Sequence, residues 1–148
     1  MDYKCGYCRK ASEIVREFLK TDRNIRFVVK EFPILGEASL ISSKFAIAVK
    51  NIGGPEDYKF VHDILLTLTA DPSEAYLRRI ANELQLDPEE LFTAMESEPV
   101  LQEISQTSEL AKKLKISGTP TFILEEQVLR GFVPLDVLLQ VAETVRNK

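Results

Sequence analysis

Two cysteines three positions apart, Cys5 and Cys8, constrain this chain more than any other feature, because a helical apolar pattern follows them at once. They are the only cysteines in 148 residues. Ala11, Ile14, Val15, Phe18 and Leu19 recur at helical spacing, so residues 6–20 read as a helix with Cys5 at its start. Positions i and i+3 share one helix face, so the two sulfurs can meet. At a helix N-terminus, unpaired N–H groups and the macrodipole favour an anion. A thiolate there has a lowered pKa, and the thiolate is the nucleophile of disulfide exchange. Two cysteines cannot build a disulfide scaffold; they are a redox pair or half of a metal site. A closed zinc site needs about four ligands. The chain offers two thiols and one histidine, His62, so a metal site would need a second chain. The reading adopted is a redox pair with no metal.

The rest of the chain divides by period. Residues 25–32 are rich in β-branched and aromatic side chains and read as a strand closed by Pro33, with an apolar centre suited to a sheet covered on both faces. A helix is expected over 37–50, stopping at Asn51-Ile52-Gly53-Gly54. Pro55 opens the next, where its missing N–H is harmless. Further helices are expected near 73–85, from Asp87-Pro88-Glu89-Glu90, and from Ser97-Glu98-Pro99. The period then changes. Residues 121–124 and 128–130 read as strands joined by Glu125-Glu126-Gln127, and 134–145 as a last amphipathic helix.

The formal net charge is −4 with no long run of either sign, so nothing suggests nucleic acid as a partner. Apolar runs such as Val137-Leu138-Leu139 are far too short to span a bilayer. There is no signal-peptide or lipidation pattern, which carries little weight because the chain reads as starting in mid-fold.

Four segments together carry a resemblance. They are Asp2-Tyr3-Lys4-Cys5-Gly6-Tyr7-Cys8-Arg9-Lys10, Val29-Lys30-Glu31-Phe32-Pro33-Ile34-Leu35-Gly36, Ile116-Ser117-Gly118-Thr119-Pro120-Thr121-Phe122 and Gly131-Phe132-Val133-Pro134-Leu135. In this order the chain resembles the DsbA-like thiol:disulfide oxidoreductases of bacterial envelopes, in the branch that includes Com-type outer-membrane antigens. The resemblance implies an α/β, thioredoxin-like fold with an inserted helical block. One domain over 1–148 is expected, with the block at about 37–115. The Thr-Pro strand, second strand and C-terminal helix would occupy about 116–148. The strand that precedes the Cys-x-x-Cys helix in such folds is absent, since residues 1–4 are too few for one. The chain therefore reads as a truncated piece, with its strands at 27–32 and 121–124 facing a gap.

The resemblance also assigns the site. Cys5 is the expected exposed nucleophile and Cys8 the buried resolving thiol. Gly6 and Tyr7 shape and tune the pair; Gly-Tyr lacks the histidine of strongly oxidising relatives, and so argues for a milder couple. Gly-Tyr with Thr before the proline also looks like the disulfide isomerase DsbC. Thr119–Pro120 is expected to be cis, with the Thr119 backbone beside Cys5, open to an extended substrate strand. Lys4, Arg9 and Lys10 either favour the thiolate or are ordinary solvated charge. Glu31 is a candidate aid to proton transfer from Cys8, or a strand-end residue facing solvent. His62 reads as structural, and Pro33-Ile34-Leu35-Gly36 as a fold-setting turn.

The implied function is disulfide exchange with unfolded or partly folded secreted or envelope proteins, in the periplasm or cell envelope. No organic cofactor is expected, only a redox-active Cys5–Cys8 disulfide reset by a membrane redox partner. Self-association through the sheet gap is a further expectation. Three rivals stand beside this: an isomerase or reductase using the same pair, a non-catalytic binding or antigenic fragment, and a dimeric zinc clip.

Overall fold

A computed structural model describes all residues, Met1–Lys148. The chain runs α1 (Gly6–Thr21), α2 (Glu37–Gly53), α3 (Pro55–Thr67), α4 (Glu74–Glu83), α5 (Pro88–Met95), α6 (Glu98–Lys113), β1 (Thr121–Leu124), β2 (Gln127–Arg130) and α7 (Leu135–Arg146). Helix starts follow local chemistry. Asp87 caps α5 by accepting the Glu89 N–H, with Pro88 in the first turn. Gly54 ends α2 at a φ of 92°, a left-handed conformation that costs glycine nothing and other residues more. Helix α2 reaches Gly53, so it ends within the expected stop at Asn51-Ile52-Gly53-Gly54.

Helix α2 is the structural axis. Ser42, Ser43, Phe45, Ala46, Ile47, Ala48 and Val49 are all buried, so it is covered on nearly every side. Val61 and Leu65 of α3, Leu91 of α5 and Val100 of α6 join it in one large core cluster, with Leu77 and Ile80 of α4. Tyr3, Cys5 and Cys8 belong to that same cluster. Each fully buried Phe, Ile or Leu contributes roughly 1.5–3 kcal/mol. A second, smaller cluster joins Phe18 of α1 to Val133 and to Leu138 and Ala142 of α7. Helix α1 thus carries the thiols into one core at its start and anchors in the other at its end.

Strands β1 and β2 form an antiparallel pair in the register Thr121↔Arg130 to Leu124↔Gln127. The third expected strand, 25–32, does not form. This segment has only two backbone bonds of strand type: Met1 N–H to Lys30 O and Phe32 N–H to Met1 O, both 2.8 Å. No backbone bond joins it to β1. Phe27 is 43% exposed and Val28 54%, so the apolar centre is not covered on both faces. The reason is that a strand is defined by its ladder partner. Residues 25–29 have β-type side chains but nothing to pair with.

Candidate active site

Cys5 is the N-cap of α1, and its Sγ accepts the Cys8 backbone N–H at 3.3 Å. The sulfur thus satisfies one of the helix's orphan donors, the role usually taken by Ser or Asp. The Cys5 thiol also donates to the Thr119 carbonyl at 3.3 Å, across 114 positions of sequence. The Thr119–Pro120 bond is cis. Gly131 N–H bonds to Pro120 O at 2.8 Å, which ties the loop to the end of β2. The fold therefore brings together Cys5, Cys8, Thr119 and Pro120. A cleft of about 190 Å³ adjoins them, lined by Ser117 to Thr121 with Arg130 and Gly131.

The two thiols are driven in opposite directions. Burial of Cys5 acts against its thiolate. Hydrogen bonds from the Thr119 side chain, the Cys8 thiol and the N–H groups of Cys8 and Tyr7 outweigh it, and the pKa falls below its ordinary value. For Cys8 burial dominates and pushes the thiol up to about 11, despite a hydrogen bond from the Asp2 backbone. An acidic capping thiol beside a proton-retaining one is the division of labour that disulfide exchange needs.

One expectation is corrected here. Cys5 is not an exposed nucleophile: it is 7% exposed, against 4% for Cys8. The Thr119 loop approaches closely enough for its carbonyl to accept a hydrogen bond from the thiol, and it shields the sulfur from solvent. What distinguishes the thiols is hydrogen bonding more than exposure. Gly6 is open, with no atom within 4 Å of where its Cβ would stand. Tyr7 is 61% exposed, with Lys10 Nζ lying 5.4 Å from its ring centre.

The flanking cations serve the fold. Arg9 Nε donates to Leu66 O at 2.7 Å and Arg9 Nη2 to Leu68 O at 2.6 Å. Lys4 Nζ pairs with Asp71 at 2.8 Å and reaches Thr69 O at 3.2 Å. Arg9 clamps α1 to the carbonyl-rich end of α3, where a helix favours positive charge, and Lys4 ties the residues before α1 to the segment after α3. Neither is among the main groups that set the Cys5 pKa.

Two buried carboxylates stand behind the pair. Asp2, fully buried, accepts from the N–H groups of Lys4, Ile34 and Leu35 and from Ser39 Oγ, at 2.7–3.0 Å. It fixes the Pro33-Ile34-Leu35-Gly36 turn against the start of α1. Glu31 is 1% exposed, so it does not face solvent. Tyr3 OH and Tyr58 OH donate to its Oε1 at 2.8 and 2.6 Å, and Ser43 Oγ donates to Oε2 at 2.8 Å. Neither cysteine is among its partners. Burial raises its carboxyl above the ordinary value, although the hydroxyls pull it down. His62 Nδ1 lies 3.1 Å from Tyr3 OH, and burial lowers the ring to about 4, keeping it neutral at pH 7. The sequence reading missed Asp2, Tyr3, Ser43 and Tyr58 as a polar core. Asp2-Tyr3, one residue short of the first cysteine, was the available signal.

Fold and thiol pair together place the chain among thioredoxin-like α/β proteins. A family model described as a DSBA-like thioredoxin domain matches residues 1–142, and the chain belongs to that family. A thioredoxin-like oxidoreductase from Silicibacter pomeroyi DSS-3 is 36% identical, with a TM-score of 0.91, over 100% of this chain and 84% of its own. The thiol-disulfide exchange protein alpha-DsbA2 from Wolbachia pipientis shares the fold with a TM-score of 0.88 at 24% identity, over 98% of this chain and 78% of its own. The Na(+)/H(+) antiporter NhaA 1 of Salinispora arenicola (strain CNS-205) is 28% identical over 137 residues, 93% of this chain and 21% of that protein. The chain spans about a fifth of the curated relatives it matches. No helix of this chain is long and apolar enough to cross a membrane.

Proposed function

We propose that this chain exchanges disulfides with cysteine-containing polypeptides through Cys5 and Cys8. In the oxidising direction, a substrate thiolate attacks Cys5 Sγ of the Cys5–Cys8 disulfide. A substrate–Cys5 bond forms, and Cys8 leaves as a thiolate that takes up a proton. A second substrate thiolate then attacks the substrate sulfur, forming the product disulfide and releasing Cys5. The substrate is oxidised by two electrons and the pair reduced by two. In the reducing or isomerising direction, the Cys5 thiolate attacks a substrate disulfide. Cys8 then displaces the product, or a substrate thiol does so.

The observation that carries this reading is the position of Cys5 Sγ, capping α1 through the Cys8 N–H and touching the Thr119 carbonyl. Gly6, Tyr7, Thr119 and Pro120 are the residues that would meet a substrate first. The proposal needs neither metal nor organic cofactor. A milder couple fits main thiolate-stabilising groups that are all uncharged hydrogen-bond donors, because a less stabilised thiolate is a poorer leaving group. This leaves isomerase or reductase work open to the same pair. The proposed setting is the periplasm or cell envelope, a reading supported by family membership, and a membrane redox partner is proposed to reset the pair. Self-association would use the exposed apolar residues Phe27, Val28 and Ile123.

The test is turnover of a fluorescent peptide disulfide in a glutathione buffer. The chain should accelerate exchange well above the buffer rate, and Cys5→Ser should abolish the acceleration. Equal rates for the two proteins would contradict the proposal.

A further inference from the structure

The cleft beside Thr119 and Pro120 has no hydrophobic lining residue, and Arg130 is the one charged residue that borders it. Arg130 stands directly across the hairpin from Thr121. Its Nη2 reaches the carbonyls of Leu114 and Lys115 at 3.2 and 3.4 Å, so its guanidinium sits at the turn that ends α6. Lys112 and Lys113 lie on the last turn of that helix, and Lys115 follows it. All four cations are exposed. None takes part in any ion pair of the chain, and Glu109, one turn earlier on α6, does not pair with them.

The helix macrodipole accounts for two lysines at the end of α6. It does not account for Arg130, which comes from β2 and converges on the same turn. Lys115 is also unexpected: it holds a φ of 53°, at a position where helices usually place Gly or Asn. The result is a patch of four unpaired positive charges in a chain of net charge −4. Arg130 joins it to the loop whose Thr119 carbonyl contacts the reacting sulfur.

We infer that this patch selects polypeptide substrates carrying acidic residues next to the reacting cysteine. The inference rests on the disulfide-exchange reading and adds the substrate's chemistry to it. A segment whose cysteine bonds to Cys5 must pass the Thr119–Pro120 loop, and so brings a flanking side chain to the cleft. A carboxylate there meets Arg130, with Lys115 on the adjoining turn; a lysine there meets like charge.

The experiment measures kcat/KM for peptide disulfides of one length, with Glu, Gln or Lys on both sides of the cysteine, at low salt and at 0.5 M NaCl. The order Glu, Gln, Lys is expected, with roughly tenfold between the extremes at low salt and a smaller spread at high salt. The difference should lie mainly in KM. Arg130→Glu should reverse the order. Because Arg130 also holds the α6 turn, Lys113→Glu with Lys115→Glu is the second variant, which leaves those contacts in place and should narrow or reverse the order. Equal rates for the three peptides, or an order unchanged in both variants, would overturn the inference. No exchange with any peptide would overturn the disulfide-exchange reading and this inference with it.

Discussion

Cys5 Sγ accepts the Cys8 backbone N–H at 3.3 Å, so one of the two thiols caps the helix that carries the other. The cap stabilises negative charge on Cys5, while Cys8, a turn further in, is held protonated by burial. Alkylation with iodoacetamide across a pH series, read by peptide mass spectrometry, checks the split. Cys5 should be labelled with a midpoint below that of a free cysteine, and Cys8 only as pH approaches about 11. Faster labelling of Cys8 near neutrality would refute the assignment.

Arg9 holds the Leu66 and Leu68 carbonyls at the end of α3 and is not among the main groups that set the Cys5 pKa. Arg9→Met leaves the Leu66 and Leu68 carbonyls without their charged donor. It should cost about 1–3 kcal/mol in stability by urea titration. The alkylation midpoint of Cys5 should not move. A large midpoint shift would mean that the cation does act on the thiolate.

Glu31 satisfies three hydroxyls at once. Glu31→Leu strands them and should destabilise by about 3 kcal/mol or more. Glu31→Gln keeps an acceptor for the two tyrosines and removes a buried charge, so its loss should be smaller. Equal losses would show that charge, rather than hydrogen bonding, is what the cluster requires.

His62 links stability to acid pH. Its folded pKa is about 4, against an ordinary value of 6.5. Between these values the unfolded chain binds the proton and the folded chain does not, so stability falls as pH drops from about 6.5 to 4. The full effect is on the order of 3 kcal/mol. Glu31, with a raised pKa, acts in the opposite sense, since the folded state there takes up its proton first. In His62→Phe the lost Tyr3 contact should lower stability at pH 7, yet acidification to pH 4 should cost less than in the parent. Parallel stability–pH curves for the two proteins would rule out this linkage.

Much of the site was legible because its signals are local. A cysteine before an amphipathic helix, Asp87-Pro88 at a helix start, and Thr119-Pro120 before an apolar strand each act within a few residues. The helices from Glu37 to Lys113 followed from apolar periodicity together with their Pro and N-cap start signals. The failures share a physical origin. Residues 25–32 carry strand side chains, yet strand formation depends on a partner that no local pattern contains. The burial of Asp2 and Glu31 depends on Ser39, Ser43 and Tyr58, hydroxyl donors on other elements whose approach only the folded chain defines. The low exposure of Cys5 likewise comes from a loop 114 positions away.

The central claim is that Cys5 forms the bond to substrate. The most direct test incubates Cys8→Ala with a peptide disulfide, quenches with acid, and maps any adduct by mass spectrometry. The account predicts one peptide per chain, joined by a disulfide to Cys5 and released by dithiothreitol, persisting because no resolving thiol is present. Absence of an adduct under conditions where the parent chain reduces the peptide would contradict it.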